Sequence, residues 1–266
     1  MILLDTFLFA ALVIFCYMTS LFVLALVLKD NSIADIAWGP GFILAAVAAV
    51  WYNRSFDVLQ IIVLLMVTVW GLRLGIRIFL RNHGRGEDPR YRKWRESWGK
   101  LFVLRSYLQV FILQGAILLV NVSPVLAIAA SERHVPAWSD YIGMALWLCG
   151  FLFETIGDHQ LDAFLKDPAN RGRIIDRGLW RYSRHPNYFG EVTMWWGIFI
   201  IALPGEMGWI SIAGPLMITA MILFVSGIPM TERMMARHPG FEEYKKRTSV
   251  FIPWFPKKVP GPGNGR

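Results

Sequence analysis

Residues 3–28, LLDTFLFAALVIFCYMTSLFVLALVL, carry a single charged side chain, Asp5. An α-helix rises 1.5 Å per residue, so about 20 residues cross the ~30 Å hydrocarbon layer of a bilayer. This stretch is long enough and apolar on every face, which makes lipid its natural solvent. It is longer than a secretory h-region and lacks a small-residue cleavage site, so it reads as a membrane helix and not as a signal peptide.

The same pattern recurs outward along the chain. Apolar blocks at Ile33–Trp51, Val58–Leu80, Tyr107–Ala129, Tyr141–Leu165, Tyr188–Leu203 and Trp209–Ile228 bring the expected spans to seven. The whole chain of 266 residues is 55% hydrophobic and only 17% charged, with a mean hydropathy of +0.45, outside the range of soluble domains. The blocks are continuous and do not alternate, which excludes a membrane β-barrel. The predicted fold is all-α, a seven-transmembrane-helix bundle, with residues 1–258 forming one transmembrane domain. Residues 260–266, PGPGNGR, cannot form a helix, and 259–266 are expected to be a disordered tail.

Basic residues fix the expected orientation. Eight Lys and Arg lie in 81–105, six in 166–184 and eight in 229–266, together 22 of the chain's 27. These segments follow spans three, five and seven, so all fall on one side. The positive-inside bias makes that side cytoplasmic, with the N-terminus outside and the C-terminus inside. The basic balance is therefore topological, and no nucleic-acid partner is expected. Cys16 and Cys149 both sit within apolar blocks, giving neither a disulfide framework nor a metal site.

Polar residues within spans are costly and call for a reason. Asp35 opens the second span, Arg73 and Arg77 share one face of the third, Glu154 and Asp158 share one face of the fifth, and Glu191 lies one turn into the sixth. Each alone reads as a helix-end residue that snorkels or pairs; as a set they predict a shared polar cavity. The loop 81–92, RNHGRGEDPRYR, combines glycines with arginines suited to phosphate oxygens. Taken alone it reads more readily as a lipid-headgroup contact or a topological signal.

The strip 170–191, NRGRIIDRGLWRYSRHPNYFGE, is the most informative. It interleaves Arg171, Arg173, Arg177, Arg181 and Arg184 with Tyr182, His185, Asn187 and Tyr188, and Pro186 is placed to open the sixth span at the N1 position. A solvated basic loop capping a helix is the plainer reading; the mixture of residue types favours a binding site. Further on, Glu232, Arg233 and Arg237 lie on one side of an expected helix that continues past Tyr244 and Arg247 to Pro253.

The run LDAFLKDPANRGRIIDRGLWRYSRHPNYFGE at 161–191, with EEYKKRTSVFIPW at 242–254, resembles the steroid 5α-reductase-like membrane family, over about Asp35 to Trp254. The resemblance implies a seven-helix bundle whose cytoplasmic loops close over a cofactor cavity, with residues 105–256 carrying the cofactor motifs. It also implies NADPH-dependent reduction of a carbon–carbon double bond conjugated to a carbonyl, in a steroid-like or other unsaturated lipid. Carried across by position, Arg173, Tyr182, Asn187 and Glu191 fall on cofactor contacts and Arg85 on a phosphate-binding arginine. Asp158, Arg233 and Tyr244 fall on further cofactor positions, and Arg171, Arg184 and His185 join them from the same strip.

The resemblance further implies a carboxylate and a tyrosine that polarise the substrate carbonyl. Asp35 falls near the carboxylate, while the tyrosine aligns around Trp70 and Gly71; Arg73 is the nearby donor, so Asp35 and Arg73 are the expected catalytic pair. Two other functions share parts of this pattern. A membrane methyltransferase would bind S-adenosylmethionine, which has no phosphate and needs fewer arginines. A non-enzymatic protein would read anionic head groups through the basic strip. The expected partners are a hydrophobic substrate and membrane lipids, with no obligate protein partner, in a bacterial inner membrane or, in a eukaryote, the endoplasmic reticulum.

Overall fold

The computed structural model describes residues 2–54, 56–133 and 135–257; the expected disordered tail at 259–266 lies outside them. The described residues form helices and turns with no β-strand. In chain order the α-helices are α1 (Ile2–Leu28), α2 (Ile33–Ile36), α3 (Trp38–Asn53), α4 (Val58–Asn82), α5 (Pro89–Trp98), α6 (Phe102–Arg105), α7 (Leu113–Asn121), α8 (Ser123–Ala129), α9 (Trp138–Lys166), α10 (Pro186–Ala202), α11 (Ala213–Ala220), α12 (Ile228–Met235) and α13 (Phe241–Arg247).

Four helical stretches are long and apolar enough to cross a membrane: Ile2–Leu28, Val58–Asn82, Pro89–Asn121 and Gly208–Met235. The chain is an integral membrane protein. The other three expected spans are helical as well, but α3 has 16 residues and α10 has 17, shorter than those four, and the continuous helix α9 carries Asp140, Glu154, Asp158 and Asp162 among its apolar residues.

Several expected helices are broken, the fourth span at Val122 and the seventh at Ser226–Gly227 among them; in two further cases a proline is the cause. The second span divides at Ala37 because Pro40 has no N–H to give the Ile36 carbonyl; the ladder resumes with the Gly41 N–H on the Ala37 oxygen at 2.9 Å. The helix expected to run from Glu232 past Tyr244 ends at Met235 and restarts at Phe241. Pro239 cannot continue it, and Gly240 takes φ +84°, a left-handed value that reverses the chain.

The chain divides into two compact units, Met1–Asp140 with Ile198–Met217, and Tyr141–Gly197 with Ile218–Arg266. In the first, α3 and α4 touch backbone to backbone. A Cβ built on Gly39 would lie 2.2 Å from the Gly71 oxygen, and the neighbouring Trp70 packs edge-on against Phe42 at 5.2 Å. In the second, α9 carries Gly143, Gly150 and Gly157 seven residues apart, and α10 answers with Gly190 and Gly197. A Cβ on Gly190 would lie 2.4 Å from the Gly150 oxygen, and one on Gly197 2.6 Å from the Gly143 oxygen. Small residues let helices in lipid approach closely and gain dispersion that larger side chains would block.

Gly190→Ala is therefore expected to lower stability by about 1–3 kcal/mol through overpacking. Gly172→Ala, at a positive φ but with nothing within 4 Å, should cost only the backbone strain of a left-handed residue, about 1 kcal/mol. Thermal unfolding in detergent compares them, and equal losses would dismiss the seam as a constraint.

Candidate active site

In the first unit the loop after α4 turns at Gly84 and Gly86, with φ +74° and +70°, and leaves Arg85 exposed between them. The next two residues tie this loop to the start of α2. Glu87 accepts the Asn31 N–H at 3.0 Å, and the Asp88 N–H donates to the Ser32 hydroxyl at 2.8 Å. Burial pushes the Glu87 carboxyl up, but two hydrogen bonds from Arg95, the Asn31 N–H and the charges of Arg95 and Arg92 outweigh it, and the net direction is down.

Asp88 caps α5 by accepting the Arg90 N–H at 2.8 Å, with Pro89 at the first helical position. That cap sets the phase of α5 and brings two side chains onto Asp35. The Tyr91 hydroxyl donates to Asp35 Oδ1 at 2.7 Å, and the Arg90 guanidinium donates to Oδ2 at 2.7 Å. Tyr91 is buried, and its oxygen accepts a 3.4 Å contact from Gln114. Tyr91 escaped the sequence reading, which looked for a phenol at Trp70 and Gly71; the first is buried in packing and the second has no room for a side chain. The Asp88–Pro89 start signal was the clue, since it places residue 91 on the first turn of a helix. Arg73 is half-buried on α4.

In the second unit, α9 ends at Lys166 where Pro168 follows, and the chain folds back over the last turns of α9. Phe164, Ile175 and Trp180 form a buried cluster with Leu161 beside it, the Trp180 indole donates to the Gly157 carbonyl at 3.0 Å, and the Leu179 N–H donates to Gln160 at 2.9 Å. The C-terminal segment then straps this loop down. The Arg184 N–H reaches the Ser249 carbonyl at 2.8 Å, the Ser183 hydroxyl the Phe251 carbonyl at 2.7 Å, and the Trp254 N–H the Tyr182 carbonyl at 3.0 Å.

The site residues divide by this strap. Arg184 is buried and donates to Glu232 at 2.7 Å and to the Thr248 and Lys245 carbonyls at 2.8 and 3.3 Å. Tyr244, also buried, donates its hydroxyl to the Trp180 carbonyl. His185 lies 3.3 Å from Glu232 and stacks on Tyr188, whose hydroxyl meets Thr231 at 3.0 Å. By contrast Arg171, Arg173, Tyr182 and Arg233 are exposed. At the start of α10, Asn187 Nδ2 donates to the buried Asp158 at 3.1 Å, while Asn187 Oδ1 is shielded and has no hydrogen-bond partner among the described residues. Glu191 stands one turn on, half-buried.

Burial lowers the His185 pKa; Glu232 opposes the shift, Arg184 adds to it, and the net direction is down. The folded state thus holds a neutral imidazole where the unfolded chain binds a proton below about 6.5. The stability this contributes is complete above that value and is lost as pH falls toward the depressed folded pKa. The melting temperature is expected to fall between pH 7 and pH 5, and His185→Gln should flatten that slope; an unchanged slope in the variant would assign the effect elsewhere.

A family described as protein of unknown function DUF1295 matches residues 21–248. An uncharacterized protein of Schizosaccharomyces pombe is 26% identical over 234 residues, 76% of this chain and 65% of that one. The 3-oxo-5-alpha-steroid 4-dehydrogenase 1 of Bos taurus is 34% identical over 116 residues, 42% of this chain and 40% of its own length. Its Homo sapiens counterpart is 34% identical over 118 residues, with the same two shares. The chain thus spans 65% or less of the length of these curated relatives. No solved structure matches it.

Proposed function

The chain belongs to DUF1295, a steroid 5α-reductase-like family, and on that premise we propose that it is a seven-pass membrane reductase that uses NADPH to saturate the double bond of a hydrophobic enone. The observation that carries this reading is the Tyr91 hydroxyl 2.7 Å from Asp35. Reduction of an enone needs a donor at the carbonyl oxygen, where negative charge develops, and a proton for the α-carbon. A phenol oriented by a carboxylate suits the first task. Arg90 neutralises that carboxylate, so the phenol proton can turn to a more basic acceptor than Asp35 without leaving an unpaired charge. Arg73, the donor expected from the sequence, keeps a supporting role at the same oxygen.

When bound, NADPH supplies a hydride to the β-carbon. The residues of the second unit fit such a nucleotide. Asn187 Oδ1 is a shielded acceptor without a donor, which a carboxamide N–H satisfies, and Asp158 holds the Asn187 amide so that its oxygen stays available. Arg171, Arg173 and Arg233 are exposed guanidinium groups able to take phosphate oxygens bidentately, with Tyr182 offering a ring face and Glu191 accepting from ribose. Arg184, His185 and Tyr244 act as positioning residues, because their polar atoms are committed to protein partners. A bacterial inner membrane, or the endoplasmic reticulum in a eukaryote, with a cytoplasmic C-terminus completes the reading.

Purified protein in detergent is expected to be stabilised by NADPH, by about 2.7 kcal/mol at a hundredfold excess over Kd. Asn187→Ala should abolish that gain with the fold intact. Tyr91→Phe should keep it while slowing reduction of a 4-ene-3-ketosteroid or simpler enone by about 10²–10⁴-fold. Stabilisation by S-adenosylmethionine and not by NADPH would replace the reductase with a methyltransferase.

A further inference from the structure

The N-terminal end of α1 borders a cavity of about 890 Å³ walled largely by aliphatic and aromatic side chains, among them Leu3, Phe7, Val120, Leu126 and Ile210. A second cavity of about 670 Å³ adjoins it, and the two share Ile2, Ala130, Ser131 and Glu132 as lining. Neither takes part in the proposed reduction. Tyr17 donates to the Ala37 carbonyl two residues beyond Asp35, and about 22 Å of helix separates Tyr17 from Ile2.

The larger space is apolar and of the size that holds a single small amphiphile. The smaller one is polar and anionic: Asp5, Asp57 and Glu132 face Arg54, its one lining cation among the described residues, and the exposed rings of Tyr52 and Phe56 stand beside them. Arg133 and Glu206 line the larger cavity. Arg133 brings no net charge, because it is clamped by Asp140 through two 2.8 Å hydrogen bonds and also donates to the Val135 and Ile201 carbonyls. Glu132 and Glu206 form no ion pair or hydrogen bond with other described residues. Carboxylates beside aromatic faces are the chemistry that holds an alkylammonium group, through charge and cation–π attraction together.

We infer that the paired cavities bind one amphiphile, its aliphatic tail in the larger space and an alkylammonium head in the smaller. An anionic head would meet three carboxylates, and a head without charge would gain no attraction from them. The site is independent of the reductase reading, because no residue assigned to the reduction lines it.

The test uses tetradecyltrimethylammonium below its micellar concentration, with tetradecyl sulfate as the anion of equal chain length, added to protein in a neutral maltoside and read by native mass spectrometry. The ammonium should bind about tenfold better than the sulfate. Asp5→Asn with Glu132→Gln, isosteric changes at exposed positions that leave Asp57 against Arg54, should bring the two to parity while leaving stabilisation by NADPH unchanged. Ala130→Phe, which fills the space common to both cavities, should remove binding of either. Equal binding of the two amphiphiles by the parent protein, or a preference that survives in the double variant, would overturn the inference.

Discussion

The contact on which the second unit depends is the meeting of α9 and α10 without side chains between them. At Gly150 and Gly190 each backbone lies where the other's Cβ would have to be. Two helices joined that closely cannot slide or rotate without collision, so the register of one fixes that of the other. Gly157 continues the seam by one step of seven residues and packs against the backbone of Asn187. Asp158 is the next residue on α9, and it meets the Asn187 amide at 3.1 Å. A wider seam would withdraw this carboxylate from the amide and free Asn187 to turn. The polar pair is therefore a consequence of the missing side chains beside it.

Above that seam, arginines of one short strip have opposite duties. A buried guanidinium is costly to desolvate and is tolerated only when its donors are satisfied. Arg184 meets that condition with one carboxylate and two carbonyls, all from residues 232–248. It clamps the C-terminal segment against the loop, and His185 and Tyr244 reinforce the clamp. Arg171 and Arg173 lie before the strap and keep their charges toward water. Folding thus separates cations that hold the loop from cations able to meet a ligand.

Much of this was legible in the chain. Apolar blocks of about 20 residues gave the helices, because lipid thickness and helical rise leave few alternatives. Pro186 marked the first turn of α10 correctly. The breaks at Ala37 and after Met235 were written in Pro40 and Pro239, but the apolar run around the first and the charge pattern around the second masked them. The division among the arginines was beyond reach, since the acceptors that bury Arg184 lie roughly sixty residues further on. Tyr91 was concealed differently. Its partner Asp35 is distant in sequence, and only the cap at Asp88 and the two bonds from Glu87 and Asp88 to residues 31 and 32 bring α5 over α2.

The first unit has two ends of opposite charge, and that polarity unites its features. Where α4 runs into α5, Arg81, Arg85, Arg90, Arg92, Lys93 and Arg95 gather, which is the asymmetry that orients a membrane protein. An acid placed among them, such as Asp35, is paired with a guanidinium and accepts a phenol hydroxyl. At the far end of α1 stand Asp5, Asp57, Glu132 and Glu206, with Arg133 already cancelled by Asp140. Anionic groups are drawn to the first end and cationic ones to the second. One distribution of charge, of the kind that seats helices in a bilayer, thereby gives the two ends of a single helical unit opposite electrostatic character.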